Sequence, residues 1–556
     1  MPSQPQLPDE ERASYAGRWI ARLGGRIIGQ GGTPDQALWA AKGSRFKETP
    51  QIEYIPTMQP LRLSDRLEQV RAIVPSDLEI YLVGGAVRDA LLDRPTHDLD
   101  FVLSGDALKV GRQVADALKG AYYPLDEDRS IARVLVRAPD GTQDVLDFNR
   151  MRGQDLESDL RARDFTINAM AVDLRNPGAL LDPLGGAADL LAKQLRACSP
   201  TAFTDDPVRV LRSVRLAAAF HLHIQRNTLR EMKAELEGLE NVSPERLRDE
   251  LFRILAGPQP ASAVHALDMI GTFEYFLPEL NALKGVGQSP PHVSDVWSHT
   301  LDTLRKLESV LGLLEQDYDP DKSSSLMIGL LTLRLGRFRE QISAHLRTLF
   351  VPDRALRPLL FLAALYHDIA KPQTRFVDEG GRVRFFNHDS LGANLVQTRA
   401  NSLHLSTEEI ARLTTIVRHH LRPVLLGQAE RLPSRKAIYR FFRHTGAAGV
   451  DICLLSMADV MATYGSELPQ DVWIRHLDCV RALLEAWWEH PEESVAPPLL
   501  LNGRELMEAL NLPPGRHIGE ILEAVQEGQA TGQISDRDGA LALARALLDA
   551  KRIDYG

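Results

Sequence analysis

The chain has 556 residues, 44% hydrophobic and 25% charged, with a formal net charge of −10. That length calls for several domains, because single cores stop growing near about 250–300 residues. The composition is that of an ordinary globular protein; it excludes a bulk basic nucleic-acid binder but not local basic patches. No apolar run approaches the ~20 residues of a membrane helix. The polar, acidic start MPSQPQLPDEERAS is no signal peptide. Cys198, Cys453 and Cys479 are far apart and lack metal-ligand spacing, which points to buried thiols in a reducing, cytoplasmic setting.

Residues 1–60 read as a small αβ extension to which no chemistry attaches. Trp19–Arg22 and Arg26–Gly29 flank Gly24-Gly25 as in a hairpin, and Thr33-Pro34 reads as the cap and first position of a helix through Ala41. The apolar run Ile80–Val83 reads as a buried strand, broken by Gly84-Gly85. Paired glycines let the backbone turn sharply and approach a ligand. A short helical pattern follows, with Val87, Leu91 and Leu92 on one side and Arg88 and Asp89 on the other. A second strand, His97–Leu103, carries Asp98 and Asp100 on one face, because side chains alternate along a strand. Two adjacent carboxylates repel unless a cation lies between them, and Mg²⁺ takes such oxygen ligands.

Asp106–Leu118 has a helical pattern. Ala132–Arg137 and Gln143–Phe148 read as strands joined by a turn at Pro139-Asp140-Gly141. The second of these holds Asp144 and Asp147. Further on come Arg163-Asp164-Phe165-Thr166-Ile167-Asn168 and Leu181-Asp182-Pro183-Leu184-Gly185-Gly186-Ala187-Ala188-Asp189-Leu190. Asp and Asn can hydrogen-bond ribose hydroxyls, and Arg can pair with phosphate. Asp205-Asp206-Pro207-Val208-Arg209 opens a helix, with Asp206 as its cap and Pro207 at its first position. Asp206, Arg209 and Arg212 share a face, while Val208, Leu211 and Val214 lie nearer the core. Ser243-Pro244-Glu245 opens another helix.

From about residue 266 the pattern is nearly all helical. His299, His367-Asp368, His388, His420 and Asp459 punctuate it. His and Asp spread over successive helices converge readily on a metal.

Taken in order, Gly84-Gly85-Ala86-Val87-Arg88-Asp89 with Asp98-Leu99-Asp100, and the motifs after them, resemble the class II tRNA nucleotidyltransferases and bacterial poly(A) polymerases, of the DNA polymerase beta-like superfamily. The resemblance covers roughly residues 60–556. It implies an α+β chain: a small mixed-sheet head (61–200), then an all-helical neck for base recognition (201–265), an HD body (266–480) and a tRNA-binding tail (481–556). It implies catalytic Asp98, Asp100 and Asp147, with Asp144 as the reserve third carboxylate, and Mg²⁺ at Asp98 and Asp100. The nucleotide site would comprise Gly84, Gly85, Arg88, Arg163, Asp164, Asn168, Asp206, Arg209, Arg212 and Arg215. In the family, the Asp and Arg matched by Asp206 and Arg209 read the incoming base; a carboxylate can accept from the cytosine amino group. Two departures stand out: Ala162 replaces the first arginine of the family's Arg-Arg-Asp motif, and Asp205 replaces a glutamate.

The HD resemblance implies a divalent metal (Mn, Ni, Mg or Fe) held by His299, His367, Asp368 and Asp459, with His388 and His420 completing a second position. Such a site hydrolyses phosphate esters, for example a cyclic phosphate at a damaged RNA end. Lys371, Arg435, Lys436, Tyr439, Arg440 and Arg443 are candidates for RNA phosphate contacts, although a solvated helix face explains 435–443 equally well. Arg504 and Arg516 are candidates for acceptor-stem contacts.

Family members that add the full CCA, or A alone, carry a longer segment between the third carboxylate and the Arg-Asp-Phe-Thr motif. Here only residues 149–160 fill it. CC-adding members are similarly shortened, so the expected activity is CC addition to the tRNA 3′ end from CTP by two-metal phosphoryl transfer. A separate A-adding enzyme would then act next. The alternatives are a full CCA-adding enzyme using ATP as well, an A-adding enzyme or poly(A) polymerase, an HD phosphohydrolase with an inactive head, and a non-catalytic RNA-binding protein.

Overall fold

The computed structural model describes residues 15, 18–23, 26–31, 34–42, 49–55, 63–137, 141–315, 326–352 and 354–553. The chain forms two compact units, residues 1–239 and 240–556.

In the first unit, strands β1 (Arg18–Leu23), β2 (Arg26–Gly31) and β3 (Gln51–Ile55) make a small antiparallel sheet in the order β2-β1-β3, with a helix over Pro34–Ala41. The expected hairpin and helix of the extension are both present; Gly24, Gly25 and Thr33 lie outside the described residues.

The larger sheet of this unit is seven-stranded and mixed. It comprises β4 (Ile80–Val83), β5 (Asp98–Leu103), β6 (Ala121–Asp126), β7 (Ile131–Arg137), β8 (Gln143–Arg150), β9 (Ala171–Asp173) and β10 (Leu180–Leu181), ordered β10-β9-β4-β5-β8-β7-β6. Only β5 and β8 pair in parallel. Leu99, Phe101 and Leu103 of β5 turn to one face, where the Asp65–Ile73 and Ala107–Leu118 helices pack. Asp106 caps the second helix by accepting from the Lys109 amide at 3.2 Å. Phe101 and Phe148 are register partners on β5 and β8, and their rings stack at 5.0 Å within this core. Alternation therefore puts Asp98 and Asp100 on the other face. That face has its own small core of Val83, Val102, Leu160, Ala169 and Ala171. A one-residue slip of β5 would drive both carboxylates into the apolar layer.

Several sequence expectations change in detail. Strand β6 is not foreseen, because Tyr122-Tyr123-Pro124 sits on a largely exposed edge strand, where little apolar alternation survives. The helix after Gly84 spans Gly85–Leu91; Val87 is buried as read, but Leu91 is exposed and Arg88 buried, against the amphipathic reading. The neck helix runs Arg209–Phe220. Asp206 and Pro207 form the turn before it, so Asp206 is not its cap. Val208, Leu211 and Val214 are buried as expected. Pro139 and Asp140 lie outside the described residues.

Among the described residues, the second unit is helical apart from two short hairpins. Its helix Pro244–Ala256 begins at the expected Ser243-Pro244. The segment Ala448–Glu467 is long and apolar enough to cross a membrane, a length the sequence reading did not find, but 83% of that window is buried inside the protein. With Asp451 and Asp459 in its interior, it is a core helix.

Candidate functional site

Strand β4 delivers the chain to Gly84, whose φ of 79° lies in the region that favours glycine. A Cβ there would come within 3.2 Å of Asp100 Oδ2 and 3.4 Å of Arg163 Nη1, so the glycine lets the backbone pass directly beside the carboxylate. Parallel pairing places Asp100 opposite Asp147 and Asp98 opposite Val145. Burial, then the neighbouring Asp98, raise the Asp100 carboxyl to about 6; Asp147 adds to this and Arg163 opposes it. Converging carboxylates that resist shared ionisation are the donor set a hard divalent cation suits. Asp147 is held by Arg133, whose Nε and Nη2 donate to its two oxygens at 2.8 Å each.

Asp144 faces the other way. It accepts from Arg66 at 2.7 and 2.9 Å and lies 2.8 Å from His97 Nδ1. These groups line a cavity of about 640 Å³ with Leu82, Ala86 and Leu99, on the face away from Asp100. Geometry therefore separates the two candidates for third carboxylate: Asp147 stands beside the pair and Asp144 does not. On the carboxylate side, Met151 and residues 154–157 of the short segment, with Tyr81, line an open cleft of about 810 Å³.

Among the proposed nucleotide contacts, Arg88, Asn168, Asp164 and Arg212 form one connected chain, beside a separate Arg163–Asp159 pair. Arg163 donates through Nε and Nη2 to Asp159 at 3.1 and 3.0 Å. Asp164 accepts from the Phe165 amide at 2.7 Å and from Asn168 Nδ2 at 3.1 Å, and pairs with Arg212 Nε at 2.5 Å. Burial opposes its ionisation, but Arg212 and these donors outweigh it and hold the carboxyl below the usual range. Asn168 Oδ1 accepts from Arg88 Nη1 at 2.6 Å, and the Arg88 guanidinium lies 4.2 Å from the Phe220 ring centroid. Arg88 also donates to Asp89. Arg88 is thus a buried brace between the Gly-Gly helix, Asn168 and the neck helix. Arg209 reaches back from the neck to donate to the carbonyls of Ala202 and Ala162, both at 3.0 Å. Arg215 lies on the same helix.

In the second unit, helix Val296–Leu314 brings His299, and helix Leu356–Tyr366 ends at His367-Asp368. His388 opens helix His388–Ser402, His420 follows helix Thr407–His419, and Asp459 projects from the core helix Ala448–Tyr464. His299 Nε2 lies 3.0 Å from Asp459 Oδ1 and 3.6 Å from Asp368 Oδ2; His367 Nε2 lies 3.2 Å from Asp368 Oδ2. His388 and His420 face Asp368 Oδ1 at 3.5 and 3.8 Å. The Nδ1 atoms of His367, His388 and His420 bond the carbonyls of Ala364, Phe385 and Val417 at 2.7–2.8 Å. That fixes Nδ1–H and turns a lone pair on Nε2 inward, the outer-shell arrangement of a histidine metal ligand. None of these three buried Nε2 atoms has a hydrogen-bond partner. Among the described residues, His299/His367/Asp368 and Asp368/His388/His420 are the triads whose ligand atoms fall within 4.8 Å of one another. All six expected HD residues are brought together, with Asp368 common to both triads. Burial opposes ionisation of Asp368, but His367 and Lys371 outweigh it and hold its carboxyl well below the usual range.

The basic cluster is put to another use. Lys371 is buried, 2.6 Å from Asp368 Oδ2. Lys436 and Arg440 pair with Glu527 of the tail helix Arg516–Ala530 at 2.7 Å each, Arg443 lies 3.7 Å from Glu523, and Tyr439 is buried. The 435–443 face docks the tail, which neither sequence reading anticipated. Arg504 and Arg516 stay exposed, beside Glu508 and Glu520.

Arg133, Asp159 and Lys371 as partners are absent from the motif reading. Two of them had a signal: Asp159 is four residues before Arg163 on a helix pattern, and the hairpin register that pairs Arg137 with Gln143 also pairs Arg133 with Asp147.

A mixed sheet presenting carboxylates beside a Gly-Gly turn, with a helical HD body, defines a nucleotidyltransferase. Family models agree: the Poly A polymerase head domain matches residues 80–196, the probable RNA and SrmB-binding site of polymerase A matches 221–284, and the HD domain matches 325–441. The A-adding tRNA nucleotidyltransferase of Deinococcus radiodurans is 32% identical over 83% of this chain and 94% of its own length. The CC-adding enzymes of Geobacter sulfurreducens and Thermus thermophilus are each 31% identical, over 82% and 84% of this chain and 89% and 92% of theirs. The chain belongs to the tRNA nucleotidyltransferase family. A solved CCA-adding enzyme in its apo form shares the fold, with a TM-score of 0.55 at 19% identity, over 87% of this chain and 93% of that one.

Proposed function

We propose that the chain adds two cytidylates to the 3′ end of tRNA, using CTP, in the cytoplasm. The observation that carries the reaction class is the Asp98/Asp100 pair beside Gly84, with Asp147 in register opposite Asp100. Mg²⁺, held by Asp98 and Asp100 with help from Asp147, would activate the RNA 3′-hydroxyl and offset triphosphate charge. The chain's own part is positioning. Gly84 admits the triphosphate close to the backbone, and Arg163, steered by Asp159, faces Asp100. Asp164 and Asn168, braced by Arg212 and Arg88, hold the ribose. Asp206 and Arg209 read the base edge, with Arg209 oriented by the Ala162 and Ala202 carbonyls. Arg133 sets Asp147.

The choice of CC rests on the short 149–160 segment and agrees with the CC-adding relatives; a second enzyme would supply the terminal A. The A-adding relative makes A addition the competing reading, with full CCA addition beside it. Transcripts ending at the discriminator base and at CC, incubated with CTP, ATP or both and then sequenced, decide among them. CC addition predicts two C residues on the first transcript and no A on either; terminal A incorporation refutes it.

The HD centre supports a second reading of the same chain, a metal-dependent phosphohydrolase. Three buried imidazole Nε2 atoms turned toward a shared Asp368 favour it. Hydrolysis of a small phosphodiester with added Mn²⁺, lost in Asp368→Ala and retained in Asp98→Ala/Asp100→Ala, tests it.

A further inference from the structure

Between His367-Asp368 and His388 the chain forms a two-stranded hairpin, Arg375–Val377 with Val383–Phe385. Its register pairs Phe376 with Arg384. Alternation then places Phe376, Asp378, Arg382, Arg384 and, just past the strand, Phe386 in one phase of the ribbon. The observed contacts agree: Arg384 Nε donates to Asp378 Oδ2 at 2.9 Å, and the Phe376 and Phe386 rings lie 6.0 Å apart at 49°. Phe376 is 53% and Phe386 60% exposed. With Val377 of the same strand also exposed, the two phenylalanines form contiguous apolar surface, the kind that marks an interaction site.

The ribbon is fastened to the rim of the HD centre. The Val383 amide donates to Ser289 Oγ at 2.7 Å, and Arg382 Nη2 donates to the Pro290 carbonyl at 3.2 Å. Lys371, which holds Asp368, donates to Gln288 Oε1 of the same loop at 2.7 Å and lies 5.4 Å from the Phe385 ring. Phe386 itself stands two residues before the ligand His388. Aromatic rings interleaved with guanidinium groups form the chemistry that receives single-stranded nucleic acid: bases stack on the rings, and phosphates meet the arginines. Arg382 and Arg384 are exposed and each commits one nitrogen within the chain, so their other N–H donors face solvent, where an apolar protein segment would not satisfy them; a duplex would offer no bases to stack.

We propose that this hairpin is a docking platform for a single-stranded RNA end, stacking its last bases on Phe376 and Phe386 so that the terminal phosphate reaches the HD centre. The proposal rests on the phosphohydrolase reading for its purpose and its kinetic test, though not for its cross-linking test. The full-length protein with Mn²⁺ is given two substrates, a single-stranded trinucleotide ending in a 2′,3′-cyclic phosphate and bis(p-nitrophenyl) phosphate. The readout is the ratio of kcat/KM for the first to that for the second. Phe376→Ala/Phe386→Ala lowers this ratio about tenfold, mainly through KM, as expected for loss of base stacking. Photo-cross-linking of the same trinucleotide to the wild-type chain, mapped by mass spectrometry, marks Phe376 or Phe386. An unchanged ratio, or cross-links confined to other segments, overturns the platform. If neither substrate is hydrolysed, the phosphohydrolase reading fails and the cross-link map alone decides the platform.

Discussion

Replacing Asp100 by asparagine should stabilise the metal-free protein while destroying its catalysis. Folding carries the Asp100 carboxyl from 3.8 to about 6, through burial and then the charge of Asp98. An acid whose pKa is raised on folding binds its proton more tightly in the native state, so its ionisation costs stability. The cost is absent below about pH 3.8, grows between there and pH 6, and is complete above. Its ceiling is about 3 kcal/mol, at 1.36 kcal/mol per pH unit. Asparagine keeps the shape and removes the charge. In chelator above pH 6, calorimetry of the full chain should show the transition of the first unit rising by roughly 6–12 °C, at 2–4 °C per kcal/mol for a unit of this size. Added Mg²⁺ should raise the wild-type transition and leave the variant nearly unmoved, because ion binding stabilises only the state that holds the ion. A variant no more stable than wild type in chelator, or one that gains equally from Mg²⁺, would refute the reasoning.

Asn168→Ala leaves the buried Arg88 guanidinium without one acceptor, and should cost about 1–3 kcal/mol in urea unfolding. Phe148→Ala empties the stacked pair that sets the β5–β8 register, and should cost about 3–5 kcal/mol by the same assay, with nucleotide addition falling more steeply than the folded fraction. Lys371→Met removes the ammonium that competes for Asp368; Mn²⁺ affinity of the HD centre, measured by calorimetric titration in the Asp98→Ala/Asp100→Ala background, should rise by about tenfold or more. Arg440→Ala breaks a solvent-exposed pair with Glu527 and should cost under about 1 kcal/mol. The salt dependence of tRNA binding should stay as in the wild type, since that guanidinium already serves the tail.

How far the sequence could be read depends on the range of the interaction concerned. The Gly-Gly turn and the alternation that co-faces Asp98 and Asp100 are local patterns, whereas the His and Asp of the HD centre come from five separate helices and were legible only through the resemblance; the structure brings each set together. The choice of Asp147 over Asp144 is not local. It follows from parallel pairing of β5 with β8, and strands joined through a crossover carry no turn that betrays their register. The buried Arg88 misled for a related reason: a charged residue reads as solvent-facing unless its distant partners, here Asn168 and Phe220, are known. The 435–443 cluster was ambiguous between RNA contact and solvated face because its partners, Glu523 and Glu527, come from a helix some eighty residues later.

Arg209 grips the Ala162 carbonyl, not a side chain. A main-chain oxygen is the same atom whatever residue bears it, so the side chain at position 162 can change while the anchor of Arg209 persists. Ala162 can therefore stand where the motif it resembles has an arginine without loss of the tie between the Arg209–Phe220 helix and the segment ahead of it.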